Sequence, residues 1–207
     1  MQDRHETLRI LLDKSGHDAG LAEALMRIDA VAQNWRRKMH KRELGHRALA
    51  ALGLDIDLAQ LDVLFAIAAP HYEFESNAEA ETMVSTVAER LMIDPSRASR
   101  VVAEMVNAGY VRRAVSQKDS RRTVLELTAA GDAIVTAVHS YKWLLLSEFF
   151  AGWSDEDLAV FVPMLERYSD WMSTSESSEE KFADQIGDLA NSIAAARAEA
   201  GSSSKSG

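Results

Sequence analysis

The chain of 207 residues has no cysteine, which excludes thiol-based redox sensing, disulfides and cysteine-ligated metal sites. No run of about 18 apolar residues occurs, so no segment reads as a membrane span. The polar, charged start lacks the apolar core of a secretion signal, and the sequence-based expectation is a soluble cytoplasmic protein without membrane contact. Catalytic signatures are missing too. There is no phosphate-binding glycine loop, no Gly-x-Ser-x-Gly elbow and no carboxylate pair whose spacing alone marks an acid and a base. The expectation is a protein that is not an enzyme and uses no cofactor and no metal. What is present is ample apolar material: a 47% hydrophobic composition can bury a core of about 150 residues, with terminal extensions.

The most informative stretch runs from Asp94 to Thr128, DPSRASRVVAEMVNAGYVRRAVSQKDSRRTVLELT. Asp94 is a good N-cap, Pro95 suits the first helical position, and Gly109 can adopt the left-handed conformation that ends a helix. Between them Ala98, Val101, Val102, Met105 and Val106 recur at helical spacing and form one apolar stripe. The opposite face carries Ser96, Arg97, Ser99, Arg100, Ala103 and Asn107. Its N-terminal half is rich in donors and suits a major groove, where a planar guanidinium can bond a guanine bidentately. Upstream, Ser85 to Leu91 reads as a short helix and Met92-Ile93 as a tight turn, which makes a helix-turn-helix. Downstream, YVRRAV and TVLELT are rich in β-branched residues and flank the polar SQKDSRR, so they read as a hairpin with a basic tip. Lys118, Arg121 and Arg122 supply that tip with charge for phosphate or minor-groove contact, and Asp119 is close enough in sequence to brace Arg121.

These residues resemble the MarR family of winged helix-turn-helix repressors. The resemblance rests on the Leu54 to Leu64 entry with Gln60, STVAERL, SRASRVV, NAGYVRR, the wing motif of Asp119, Arg121 and Arg122, and Leu127-Thr128 with Gly131. It is close from Leu54 to Gly131 and looser from Leu21 to Trp171. It implies a mainly α fold: a winged helix-turn-helix with a small β-hairpin wing and a helical dimerisation region. The implied partners are a double-stranded DNA operator and a second copy in a homodimer, with Arg121 entering the minor groove and Asp119 bracing it. The expected domains are an extension at 1–18, a MarR-like domain at 19–172 with its winged part at about 54–131, and a linker, extra helix and tail at 173–207. The competing reading is a winged-helix module that binds protein without specific DNA binding, and the exposed arginines of helix and wing favour DNA.

Net charge at first argues against nucleic acid, being −9 with a pI near 5.2. Its distribution removes the conflict. Asp94 to Arg122 holds seven arginines and lysines against three acids, whereas Trp153 to Gly207 holds eleven acids against four bases. Salt screens charges beyond about 10 Å at 0.1 M, so the local surface decides contact.

The flanking helices follow from periodicity and caps. Ala19 to about Lys41 carries Leu21, Leu25, Ile28, Val31, Ala32 and Trp35 at spacings of three and four, then turns basic with Arg36, Arg37, Lys38, Lys41, Arg42 and Arg47. Asp57 and Gln60 form a capping-box pattern before a core helix that is expected to end ahead of Pro70; an acidic loop, HYEFESNAEAE, comes next. Thr128 is expected to cap a long helix to about Phe150, and Ser154 with Asp157 to cap the next. Ser173 to Glu180 reads as linker, Phe182, Ile186, Leu189 and Ile193 as a weak amphipathic helix, and GSSSKSG as a disordered tail.

Two small-molecule readings attach to the basic helix end. His40, Glu43 and His46 have metal-ligand spacing only if the helix continues, and Gly45 argues against that. Family members commonly bind small organic acids between dimer base and head, and by that resemblance Trp35, Arg36, Met39 and His40 are candidates to border such a cleft. The same residues are also accounted for as core and surface neighbours.

Overall fold

The computed structural model describes residues 2–16, 18–72, 80–174 and 176–203. By its contacts the chain forms two compact units, Met1–Ser147 and Glu148–Gly207.

The first unit begins with α1 (Gln2–Lys14), packed on α2 (Ala19–Lys41). Asp18 caps α2 by accepting from the Leu21 N–H at 2.8 Å. Leu21, Leu25, Ile28, Val31 and Trp35 form the expected stripe, and all five are between 39% and 52% exposed in the single chain. The helix stops at Arg42, whose φ is +53°, and α3 (Glu43–Ala51) starts immediately after it. Gly45 was expected to interrupt the helix. It lies instead inside α3, where its missing side chain leaves room for Leu58: an added Cβ would stand 2.8 Å from Leu58 Cδ2. The break at Arg42 also separates His40 and Glu43 onto different helices.

Helix α4 (Leu58–Tyr72) opens with the expected capping box. Asp57 N–H donates to Gln60 Oε1 at 3.0 Å, and Gln60 N–H to Asp57 Oδ1 at 2.8 Å. The helix does not end before Pro70 but runs through it. A proline has no N–H for the carbonyl four residues earlier, here Ala66. The Arg90 guanidinium supplies the missing donor at 2.6 Å, which explains why the turn survives. Most of the acidic loop, residues 73–79, lies outside the described residues.

Beyond the loop come α5 (Val84–Leu91) and α6 (Pro95–Asn107), joined through Met92 in the left-handed conformation at φ +50°. Strands β1 (Val111–Val115) and β2 (Thr123–Leu127) pair antiparallel from Val111 opposite Leu127 to Val115 opposite Thr123. A single bridge adds Thr82 to the outer edge of β2, with Leu125 N–H donating to the Thr82 carbonyl at 2.7 Å. Helix α7 (Ala129–Phe150) comes after the hairpin. Its cap is Thr128, whose hydroxyl donates to the Gly109 carbonyl at 2.7 Å and accepts from Gly131 N–H at 3.2 Å. Val63, Leu64, Val87, Val102, Met105, Val111 and Val135 are essentially sealed from solvent and bring α4, α5, α6, β1 and α7 onto one core.

In the second unit Phe149, Phe150, Trp153 and Phe161 form an aromatic cluster with ring centroids 4.8–6.1 Å apart. Helix α8 (Asp155–Thr174) begins with the expected box, Ser154 N–H donating to Asp157 Oδ2 and Asp157 N–H to Ser154 Oγ, both at 3.1 Å. The expected linker at 173–180 is largely helical, with α8 reaching Thr174 and α9 spanning Glu176–Lys181. STSESSEE contains no glycine or proline, and its glutamates favour helix starts. Helix α10 (Ala183–Ser203) extends into the expected tail, of which only 204–207 lie outside the described residues. Among the described residues no helix is long and apolar enough to cross a membrane.

Candidate nucleic-acid interface

Helix α6 presents its polar start because both of its ends and its inner face are fixed. Asp94 accepts from the N–H groups of Ser96 at 2.7 Å and Arg97 at 3.3 Å. Those amide bonds, Ser96 first, hold its carboxyl below the ordinary value of 3.8. At the other end Gly109, at φ +80°, closes the helix: its N–H reaches the Val106 carbonyl at 3.1 Å and Tyr110 N–H reaches Met105 at 3.0 Å. Ala98, Val101, Val102 and Met105 are buried. Ser96, Arg97, Ser99 and Arg100 are therefore all exposed, on the face away from the core. One neighbour was not anticipated. Glu104 lies 3.9 Å from Arg100 Nε and accepts from Gln60 Nε2 at 3.4 Å, so an acid adjoins this polar face and tethers Arg100 loosely.

The wing tip, Ser116 to Arg122, is held from within. Arg122 N–H donates to the Asp119 carbonyl at 2.9 Å, and Ser116 N–H to the Arg122 carbonyl at 3.0 Å. Asp119 does more than brace Arg121: its carboxylate accepts from Arg121 N–H at 3.1 Å and stands 3.7 Å from Arg121 Nε and 3.5 Å from Arg122 Nε. Arg121 extends almost fully into solvent, its side chain 93% exposed. Lys118 is exposed beside it. Lower on the hairpin, the register partners Arg112 and Glu126 form an ion pair at 2.6 Å.

A second feature sits where α2 and α3 meet α4 and α7. It is a cleft of about 710 Å³ whose lining includes Lys38, Met39, Arg42, Arg47, Asp62, Phe65, Tyr141, His139 and Lys142. Of the four residues expected to border a ligand, Met39 lines it, Trp35 and Arg36 do not, and the His40 side chain lies outside the described residues. Arg42 bonds Asp62 and donates to the Leu58 carbonyl at 3.3 Å, linking the α2–α3 junction to α4. Burial raises the Asp62 carboxyl above 3.8 more than the Arg42 charge lowers it. His139 stacks edge-on against Phe65 at 5.0 Å, and burial, then Lys142, depress its pKa below 6.5. The sequence signal for this cleft was limited to the basic run at 36–47, because its other walls come from α4 and α7.

Residues 75–122, from the acidic loop to the wing, match the family model described as MarR family. Solved structures of that family superpose on this chain. The chain has the MarR winged-helix fold. A MarR family protein from Bacillus stearothermophilus superposes with a TM-score of 0.59 at 17% identity, over 73% of this chain and 96% of that one. A second MarR family transcription regulator gives 0.54 at 17%, over 74% and 97%. Streptococcus pneumoniae FabT, solved in complex with DNA, gives 0.53 at 18%, over 71% and 99%. No curated protein matches the sequence significantly. In MarR terms α5 and α6 are the helix-turn-helix and the β1–β2 hairpin is the wing.

Proposed function

We propose that this protein is a sequence-specific DNA-binding transcription regulator that acts as a homodimer and is released from its operator by a small organic acid. One observation carries the reading: Ser96, Arg97, Ser99 and Arg100 project together from the start of a core-anchored helix, next to a wing whose outermost arginine is held by Asp119. The first group suits base edges in a major groove, and Arg121 suits a narrow, electronegative minor groove. FabT, a protein of the same fold, was solved in complex with DNA, which supports the DNA-binding reading.

Dimerisation is supported by apolar surface that a lone chain leaves open. Along α2 it is Leu21, Leu25, Ile28 and Val31; along α7 and α8 it includes Trp143, Phe149, Val160 and Met164, each at least 39% exposed. The effector reading is supported by the cleft, where Lys38, Arg42, Arg47 and Lys142 surround aromatic and aliphatic walls. An anionic aromatic compound satisfies both.

The test is enrichment of duplexes from a random-sequence pool, followed by footprinting. The expected product is a pseudo-palindrome with half-sites about 10 base pairs apart, since two recognition helices on one DNA face need one helical turn between them. Failure to enrich any duplex, or saturating protection of a single half-site by a monomer, contradicts it. Aromatic acids titrated against the complex are expected to weaken it by about 5- to 150-fold, the range of common allosteric couplings.

A further inference from the structure

The wing of this protein is rooted in a residue outside the hairpin. Ser116, the first tip residue after β1, is 4% exposed. Its hydroxyl is fully used: it donates to Glu81 Oε2 at 2.6 Å and accepts from the N–H groups of Lys118 and Asp119, both at 3.0 Å. A hydroxyl has one proton to give and two lone pairs, so this serine has no remaining capacity. The other carboxylate oxygen of Glu81 accepts from Gln117 N–H at 2.9 Å. One carboxylate thus fixes, directly or through one serine, the amides of three consecutive tip residues.

Glu81 is itself held. The next residue, Thr82, is 3% exposed and bridges β2 through Leu125 N–H. The Thr82 hydroxyl accepts from Arg90 at 3.1 Å, and the same guanidinium nitrogen caps the Ala66 carbonyl of α4. A continuous path of hydrogen bonds, with the Glu81–Thr82 peptide as its one covalent step, therefore runs from α4 through Arg90, Thr82 and Glu81 to Ser116 and the backbone of Asp119, whose side chain contacts Arg121.

We infer that Glu81 is a positioning residue for the wing: through Ser116 it sets the conformation of the tip and so the aim of Arg121. The inference rests on the DNA-reading role proposed for the wing. It adds that the last residue before the Thr82 bridge, 35 positions from Ser116 in sequence, decides whether the wing arrives preorganised. Without it Lys118 and Asp119 N–H return to water, the tip samples other turns, and ordering it on DNA costs affinity.

The experiment combines two readouts on the full chain. In the free protein, amide hydrogen exchange at Gln117, Lys118 and Asp119 is expected to rise in Glu81→Ala, and at Lys118 and Asp119 in Ser116→Ala. Glu81→Gln, whose single amide oxygen can still accept from Ser116, keeps protection at Lys118 and Asp119 and loses it at Gln117, whose N–H then faces an amide nitrogen. Unchanged exchange in both alanine variants overturns the brace. Affinity for a duplex enriched by the wild-type chain is then measured in a double-mutant cycle with Arg121→Ala. Glu81→Ala is expected to weaken binding by about 5- to 10-fold alone but by less than about 2-fold once Arg121 is gone, a non-additivity that loss of general stability does not produce. Equal losses in both backgrounds overturn the positioning role. A wild-type chain that enriches no duplex overturns the DNA reading instead, and exchange alone then decides whether Glu81 holds the tip. Glu81→Gln and Ser116→Ala carry the test if Glu81→Ala fails to fold.

Discussion

Gly131 and Gly187 make a matched pair for which one substitution has opposite signs. Both lie within helices, where alanine is favoured over glycine by about 1 kcal/mol. Around Gly187 an added Cβ meets nothing within 4 Å, so Gly187→Ala is expected to stabilise by about 0.5 to 1 kcal/mol. At Gly131 the same Cβ would lie 2.1 Å from the Tyr110 carbonyl oxygen and 3.4 Å from Leu127 Cδ2. Real Cβ contacts essentially never fall below 3.0 Å, so at least 0.9 Å of movement is required, and it must come from backbone. The obstacle cannot turn aside cheaply: the Tyr110 carbonyl already accepts from Thr128 N–H at 3.0 Å, at the cap of α7. Overpacking of this kind costs about 1 to 3 kcal/mol, and disturbing the Thr128 bond adds about 1. Gly131→Ala is therefore expected to destabilise by about 1 to 3 kcal/mol after the propensity gain is subtracted. The assay is equilibrium urea unfolding of both variants at one protein concentration, which holds any subunit association constant. A Gly131→Ala chain as stable as the wild type would refute the close approach of the Tyr110 carbonyl to α7.

The cleft and the reading head give further outcomes. His139 titrates below 6.5 in the folded chain, so as pH falls through 6.5 the unfolded chain takes up a proton first and stability declines until the folded group also protonates. His139→Phe keeps a ring against Phe65 and removes that titration; a pH series of unfolding curves should show a shallower decline, and an unchanged slope would contradict the assignment. On DNA, Arg100→Ala is expected to relax sequence preference, whereas Lys118→Ala weakens binding evenly across sequences and lowers the salt slope by about 1. Competition with unrelated duplex separates the two, and a full specificity ratio in Arg100→Ala would place base readout elsewhere on α6.

Local signals in the sequence were legible where the physics is local. The Asp94 and Gly109 ends of α6, the boxes at Asp57–Gln60 and Ser154–Asp157 and the Thr128 cap are each formed by residues within about four positions, and all are seen. Pro70 misled because its rescue comes from Arg90, twenty residues away on α5. Arg42 ends α2 in a conformation that sequence assigns first to Gly45, and the stabilising partners, Leu58 and Asp62, belong to α4. Glu81 reads as one more acid in an acidic loop until the fold sets it against Ser116. The cleft gathers Met39, Asp62, Phe65, His139 and Lys142 from three helices, a juxtaposition that no periodicity encodes. Helix α1 escaped for a different reason: Leu8, Ile10, Leu11 and Leu12 crowd together without a clean helical stripe.

The central claim is that α6 and the wing read duplex DNA, and affinity of Arg121→Ala for a duplex enriched by the wild-type chain tests it most directly. The account predicts a loss of about 1 to 3 kcal/mol in a folded dimer, with a smaller loss for Asp119→Ala because an unbraced arginine still finds phosphate. Wild-type affinity in Arg121→Ala, with the fold and the dimer intact, would contradict it.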